Sequence, residues 1–205
     1  MTRRVILAFI WAAFVLYTWT GAPSGNEGHL QQLIAMDNPD PLLLAVFSLL
    51  GIYPLAFAIL ILKHDKSRLP AWPFVIGSFM LGAFALMPYF FLSATRNERS
   101  NRTPMWLLLF LQSTLLHLVL LLGSFSLIIH GIVSGNFSIY ADAFTTSQFV
   151  HVMTIDFIVL TALSMFVIGW DQWKNSNRRS WLWMGMVPVI GLIVYILLTR
   201  RKEAG

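Results

Sequence analysis

Six apolar stretches, at residues 5–20, 42–62, 73–92, 105–133, 148–170 and 181–199, take up most of the 205-residue chain. A helix needs roughly 20 apolar residues to cross a hydrocarbon core, and the six stretches are close to that length or longer. Lipid offers no partner to a free backbone N–H or C=O, so only helices or a closed barrel can cross it. A barrel requires apolar and polar residues to alternate along each strand, and these stretches show no such alternation. The expected fold is therefore all-α: a polytopic integral membrane helix bundle of five to six transmembrane helices. It forms a single transmembrane domain over residues 1–205.

Composition agrees. The chain is 57% hydrophobic and 11% charged, against about 25% charged in an average soluble domain. A soluble fold of this size could not hide so much apolar surface, so the lipid bilayer is its first partner. The net charge of +5 does not point to nucleic acid. The 14 Lys and Arg residues fall in short clusters at segment ends, where they orient spans, and no basic stripe interleaved with aromatics reads a groove. Seven of the eight Trp residues (all but Trp11) lie at or near segment ends, the interfacial aromatic pattern. With no cysteine in the chain, disulfides, thiolate nucleophiles and iron–sulfur clusters are excluded. Nucleotide-driven and soluble hydrolytic chemistry lacks its motifs: there is no P-loop, Gly-x-Gly-x-x-Gly, His-Glu-x-x-His or Gly-x-Ser-x-Gly.

The first segment, preceded by Arg3 and Arg4, has the form of either a signal peptide or a retained anchor; Pro23 directly after Thr20-Gly21-Ala22 favours the anchor. Charge then bears on topology. Six full spans would divide the Lys and Arg residues 8 against 6 across the membrane, almost no bias. If the third segment dips in and returns, the division becomes 11 against 3, and if the sixth does so too, 14 against 0. Both segments carry helix-disturbing residues: Gly77, Gly82 and Pro88 in the third, Gly185, Pro188 and Gly191 in the sixth. Six spanning helices with a weak charge rule are the favoured reading, and re-entrant third and sixth segments are the alternative. The first loop has no Lys or Arg but carries Glu27, Asp37 and Asp40, so it should face away from the N-terminus. Asp40-Pro41 has the form of a helix start, with Asp40 as N-cap and Pro41 as first helical residue. Ser78-x-x-x-Gly82 places two small residues on one helix face, a pattern for close helix contact.

The candidate functional residues are the few titratable groups inside the segments: His117, His130, His151 and Asp156. Asp156 is the most constraining, because a carboxylate at bilayer depth costs several kcal/mol unless protonated, paired or facing a polar cavity. At 1.5 Å per residue Asp156 lies about 12 Å below the membrane face. His130 and His151 lie about 4–5 Å from that same face, and His117 about 24 Å. The fourth and fifth segments should be antiparallel neighbours. They would then set a His130/His151 pair near the interface above a cluster of Asp156 with Ser124 and Ser126. His151 and Asp156 differ by about 140° around their helix, which disfavours a direct dyad.

Four readings of this set stand open. The polar groups can be helix–helix glue. His130 and His151 can bind a cofactor, ligating a haem, chlorophyll or metal, whose identity the sequence leaves unknown. Asp156 and His117 can relay protons in a transporter. Lastly, His117, His151 and Asp156 can form the catalytic or binding group of a site for a lipid, isoprenoid or pigment. Whether the protein is an enzyme is not decided by these residues. The favoured reading is the last: a protein binding or acting on an apolar isoprenoid, pigment-like or lipid molecule within the bilayer. A non-enzymatic assembly or stabilising factor for a larger membrane complex, and a proton-coupled transporter, are the alternatives.

Three stretches carry a family resemblance: Leu69-Pro70-Ala71-Trp72-Pro73-Phe74, residues 77–90 (GSFMLGAFALMPYF), and His151-Val152-Met153-Thr154-Ile155-Asp156-Phe157. Together they resemble multi-spanning membrane proteins of cyanobacteria and plastids. The last is also similar to the His-x-x-x-x-Asp segment of the small plastid membrane family required for neoxanthin synthesis, which maps His151 and Asp156. The resemblance implies a thylakoid or plastid membrane, or a bacterial inner membrane, and carotenoid or isoprenoid metabolism.

Overall fold

The computed structural model describes residues 2–25, 28–63, 65, 69–93, 103–174 and 181–203. Glu27 and the basic residues Lys66, Arg68, Arg96, Arg99, Arg102, Arg178 and Arg179, which entered the charge count, lie outside them. The chain is all-α: α1 (Thr2–Thr20), α2 (His29–Ala35), α3 (Pro41–Lys63), α4 (Trp72–Leu81), α5 (Ala83–Leu92), α6 (Met105–Leu111), α7 (Thr114–Ser134), α8 (Phe137–Thr146), α9 (Gln148–Lys174), a 3₁₀ turn (Leu182–Met186) and α10 (Ile190–Glu203). Among the described residues there is no strand, only an isolated bridge between Gly25 and Ser147. Four helices, α1, α3, α7 and α9, are long and apolar enough to cross a membrane.

Helix α3 starts as its sequence implies. Asp40 Oδ1 accepts the N–H groups of Leu42 at 2.9 Å and Leu43 at 3.3 Å, meeting two of the donors every helix start leaves open. Asp40 Oδ2 accepts the Asn136 N–H at 2.9 Å. Asn136 in turn caps α8 by accepting from Ser138 and Ile139. One carboxylate thereby joins the start of α3 to the turn between α7 and α8. Further along, α3 is the buried axis of the bundle: Tyr53, Phe57 and Ile61 have no exposed surface. It packs on α4, α7 and α9.

The third apolar segment is a hairpin of two short helices. Its break is Gly82, at φ 51° and ψ −128°, a conformation open essentially to glycine alone. The two arms fold back on each other. A Cβ on Gly77 would lie 3.1 Å from that of Ala85, and the Phe74 and Tyr89 rings are 5.8 Å apart. Gly77 thus serves close packing inside the hairpin, while Gly82 is its tip; the small-residue pattern at Ser78 and Gly82 does not form one continuous helix face. Helix α1 runs antiparallel along α5. The Arg4 guanidinium donates to the Ser93 carbonyl at 2.8 Å, Trp11 Nε1–H donates to the Phe84 carbonyl at 3.0 Å, and the Phe14 and Phe84 rings stack at 4.0 Å. The C-terminal end of α5 therefore lies where α1 begins.

The sixth segment is also interrupted. The 3₁₀ turn ends in a break at 187–189, with Val189 at φ 59°, and α10 then runs back. Gly185 sits against the Met165 backbone, where a Cβ would be 2.6 Å away, and Gly191 sits under the Met184 carbonyl. Tyr195, beyond the break, reaches Asp171 near the C-terminal end of α9, so the segment returns toward the end from which it came. The fourth segment breaks at Gln112–Ser113, dividing it into α6 and α7.

The fourth and fifth segments are not the packed neighbours expected from their short link. Helix α7 packs on α3 and α10, whereas α9 packs on α3, α5, α8 and the 3₁₀ turn. The reason is α3, which lies against both α7 and α9.

Candidate functional site

Asp156 lies at the hairpin tip. Its Oδ1 accepts the Ala83 N–H at 2.8 Å, the first N–H of α5. Its carboxyl fills the space that a Gly82 side chain would need, since a Cβ there would fall 1.7 Å from Oδ2. A carboxylate from α9 thus caps a short helix contributed by another segment. An aligned helix start carries a partial positive charge and unmet N–H donors. The hairpin so supplies what the apolar surroundings of α9 withhold. The expected cluster of Asp156 with Ser124 and Ser126 is not formed. Ser124 is buried on α7 and donates to the Leu120 carbonyl at 2.7 Å.

His151 is buried and joins three helices. A carbonyl can only accept, so Nδ1–H donates to the Phe144 carbonyl at 3.1 Å, and Nε2 of the neutral ring accepts the Tyr17 hydroxyl at 3.1 Å. The Phe144 ring stacks on the imidazole at 4.4 Å. Helices α1, α8 and α9 meet at this one side chain. It points away from Asp156, as their angular separation implied: His151 engages α1 and α8, Asp156 engages the hairpin.

His117, fully buried on the first turn of α7, has Nε2 at 2.9 Å from the Leu111 carbonyl. That carbonyl belongs to the end of α6, where the break leaves acceptors without helical partners. His130 lies on the exposed face of α7. With Leu122, Phe125, Ser126, Ile129, Val133 and Ser134 it borders a shallow groove of about 570 Å³. The anticipated His130/His151 pair therefore does not converge: one ring faces outward from α7 and the other is enclosed between α1 and α8. Among the described residues no group of three or more His, Cys, Asp or Glu side chains is arranged to hold a metal ion.

Two buried carboxylates were not singled out from the sequence. Asp65 accepts the Ala71 N–H at 2.8 Å, just before α4. Asp171 accepts the Tyr195 hydroxyl at 2.6 Å and ties α10 to α9. Both fall just outside the apolar stretches, where hydropathy alone marks them as surface. Their signals were local: Asp65 precedes the helix-start pair Trp72-Pro73, and Asp171 lies within one turn of Trp170 on a helix that runs on to Lys174. Two tyrosines complete the internal polar ties. Tyr53 meets Thr161 at 2.7 Å, and Thr161 already donates to the Phe157 carbonyl, so the phenol is the donor. Tyr140 on α8 donates likewise to Thr154 at 2.7 Å. Burial pushes the Tyr140 phenol above its ordinary pKa, and the Thr154 hydrogen bond draws it partly back.

Because α5 begins at the tip, α1 and α9 continue beyond it with nothing of the hairpin between them. There they border a cleft of about 350 Å³, lined by Val15, Thr18, Trp19, Gln148 and Val152. Val152 is one helical turn from Asp156, on the same face of α9. Val15, Trp19 and Val152 give the cleft its apolar lining, and Thr18 and Gln148 its polar groups. No family model, curated protein or solved structure matches the chain.

Proposed function

We propose that this is a membrane protein with four spans and two re-entrant hairpins, and that it binds an apolar isoprenoid- or lipid-like molecule between α1 and α9. The observation that carries this is the hairpin tip at Gly82, where α4 ends and α5 begins, which leaves the cleft open above Asp156. Irregular backbone at membrane depth is tolerated where protein or a cavity covers it, and broken helices are a recurrent way of building sites near the bilayer midplane. An apolar chain would lie against Val15 and Val152, with a polar end toward Gln148. Asp156 would act at the cleft floor through the hairpin it caps. The family resemblance of residues 151–157 supports a carotenoid or related isoprenoid as the occupant, and a thylakoid or bacterial inner membrane as the setting.

The proposed topology is supported by charge. If both hairpins return, all 14 Lys and Arg residues belong to one face, together with the start of α1, and that face is cytoplasmic or its plastid equivalent. Single cysteines are clean probes in a chain that has none. Leu69→Cys and Ser93→Cys should label from the same side of the membrane and Ser138→Cys from the other; labelling of Leu69→Cys and Ser93→Cys from opposite sides would overturn the hairpin.

Occupancy is tested by purifying the protein in mild detergent, recording its absorption spectrum and extracting bound molecules for mass spectrometry. A defined isoprenoid or lipid should follow the protein through sizing, and Val152→Trp, which fills the cleft, should displace it. An unchanged bound molecule in Val152→Trp, or bulk lipid alone in the wild type, would refute the reading.

A further inference from the structure

A second groove lies at the opposite end of α1 and α9 from the cleft. It measures about 280 Å³ and is bordered by Arg3 at the start of α1, by Phe166, Trp170 and Trp173 toward the end of α9, and by Leu182 of the 3₁₀ turn. Helix α5 braces it. The Phe90 ring meets Phe166 edge-on at 5.5 Å and Trp170 at 6.1 Å. Gly169 lets the 3₁₀ turn close in, since a Cβ there would fall 2.8 Å from the Leu182 side chain. The rings are therefore positioned by the fold itself.

The two arginines that open α1 are used differently. Arg4 reaches the Ser93 carbonyl at 2.8 Å. The Arg3 guanidinium lies over the Phe166 ring, 5.4 Å from its centroid. A ring face attracts a cation but leaves the guanidinium N–H groups without an acceptor, and no hydrogen bond ties Arg3 to another described residue. Among the described residues that line the groove, none is acidic. Phe166 lies about 10 Å farther from the end of α9 than Trp173, a residue type that settles at the headgroup level. A long basic side chain ordinarily extends outward to that level. This one is held inward of it, with five donors in a planar fork.

We propose that this groove binds an anionic phospholipid, whose phosphate pairs with the Arg3 guanidinium while an acyl chain lies along Met165, Phe166 and Leu182. Charge complementarity selects this occupant. The guanidinium fork matches two phosphate oxygens, and the groove supplies a cation without a counter-charge. The rest of its lining is apolar or aromatic, which suits an acyl chain and not a soluble anion. In the proposed topology the start of α1 belongs to the basic face, which meets the anionic leaflet. The site does not depend on what occupies the cleft at the other end.

The test is native mass spectrometry of the intact chain in detergent, with phosphatidylglycerol and phosphatidylcholine offered at equal concentration. The wild type should retain one phosphatidylglycerol in preference to phosphatidylcholine, and Val152→Trp, which fills the cleft, should leave that preference unchanged. Arg3→Gln should weaken phosphatidylglycerol binding by about fivefold or more, whereas Arg4→Gln, which removes the same charge one residue away, should change it by less than about twofold. Arg3→Lys, a point charge without the fork, should fall between the wild type and Arg3→Gln. Equal losses in Arg3→Gln and Arg4→Gln would overturn the proposal by reducing the effect to diffuse charge. So would equal retention of the two lipids. Release of the phosphatidylglycerol by inorganic phosphate at the same concentration would overturn it too, assigning the groove to a soluble anion.

Discussion

Removing the Asp156 side chain should destabilise the protein far more than neutralising it. In the wild type a buried carboxylate accepts the first N–H of α5 at 2.8 Å. Asp156→Ala leaves that donor inside the bundle without a partner, at a cost of about 1–3 kcal/mol for the unmet group. It also forfeits the interaction of a carboxylate with a helix start, about 0.3–1 kcal/mol. The expected loss is about 2–3 kcal/mol, or roughly 30- to 150-fold in the folding equilibrium. Asp156→Asn keeps an acceptor in place, and asparagine caps helices about as well as aspartate, so its cost should stay below about 1 kcal/mol. Reversible unfolding in mixed detergent and dodecyl sulfate micelles, followed by tryptophan fluorescence, measures both. Equal damage from Asn and Ala would refute capping as the main role and return weight to a proton-carrying carboxylate. An Ala variant as stable as the wild type would refute the structural reasoning altogether.

Four further outcomes are expected. Gly82→Ala should cost about 1–3 kcal/mol from backbone strain alone, plus a collision with Asp156, so combined with Asp156→Ala it should cost less than the sum of the two in a double-mutant cycle. Tyr17→Phe and His151→Leu should each cost about 1 kcal/mol and be non-additive in the same unfolding assay, because they remove the same tie. Tyr195→Phe should cost about 1–3 kcal/mol by stranding the Asp171 carboxyl, read as earlier loss of tryptophan signal on dodecyl sulfate titration. Asp40→Ala should cost about 1–2 kcal/mol, with faster amide exchange at Leu42, Leu43 and Asn136.

Much of the architecture was legible in the residues because the bilayer imposes a length and a polarity on every segment. Asp40-Pro41 marked a helix start by local chemistry and forms one. Gly82 and Pro188 marked the third and sixth segments as able to turn back, but full spans were the favoured expectation; both segments are interrupted. Legibility stopped where tertiary placement decides. A short link between the fourth and fifth segments suggested contact, but α3 packs against both, so depth matching between His130 and His151 had no meaning. The break at Gln112–Ser113 had only a run of three polar residues as its signal. Asp156 was conspicuous as a buried carboxylate, yet its partner is a backbone N–H seventy-three residues away, which no spacing along its own helix could disclose.

That separation sets an order of events during synthesis. The chain emerges at about 5–20 residues per second, so α5 precedes the residue that caps it by about 4–15 s. Until α9 arrives, the hairpin tip carries an unanswered N–H and a glycine turn with nothing to hold its angle. Lipid cannot answer that group, so the nascent hairpin should wait at the water interface and slip to its final depth only when α9 inserts beside it. A chain truncated before Asp156 would then leave residues 72–92 accessible to protease or to a water-soluble label, and extending it past Asp156 would bury them in a single late step.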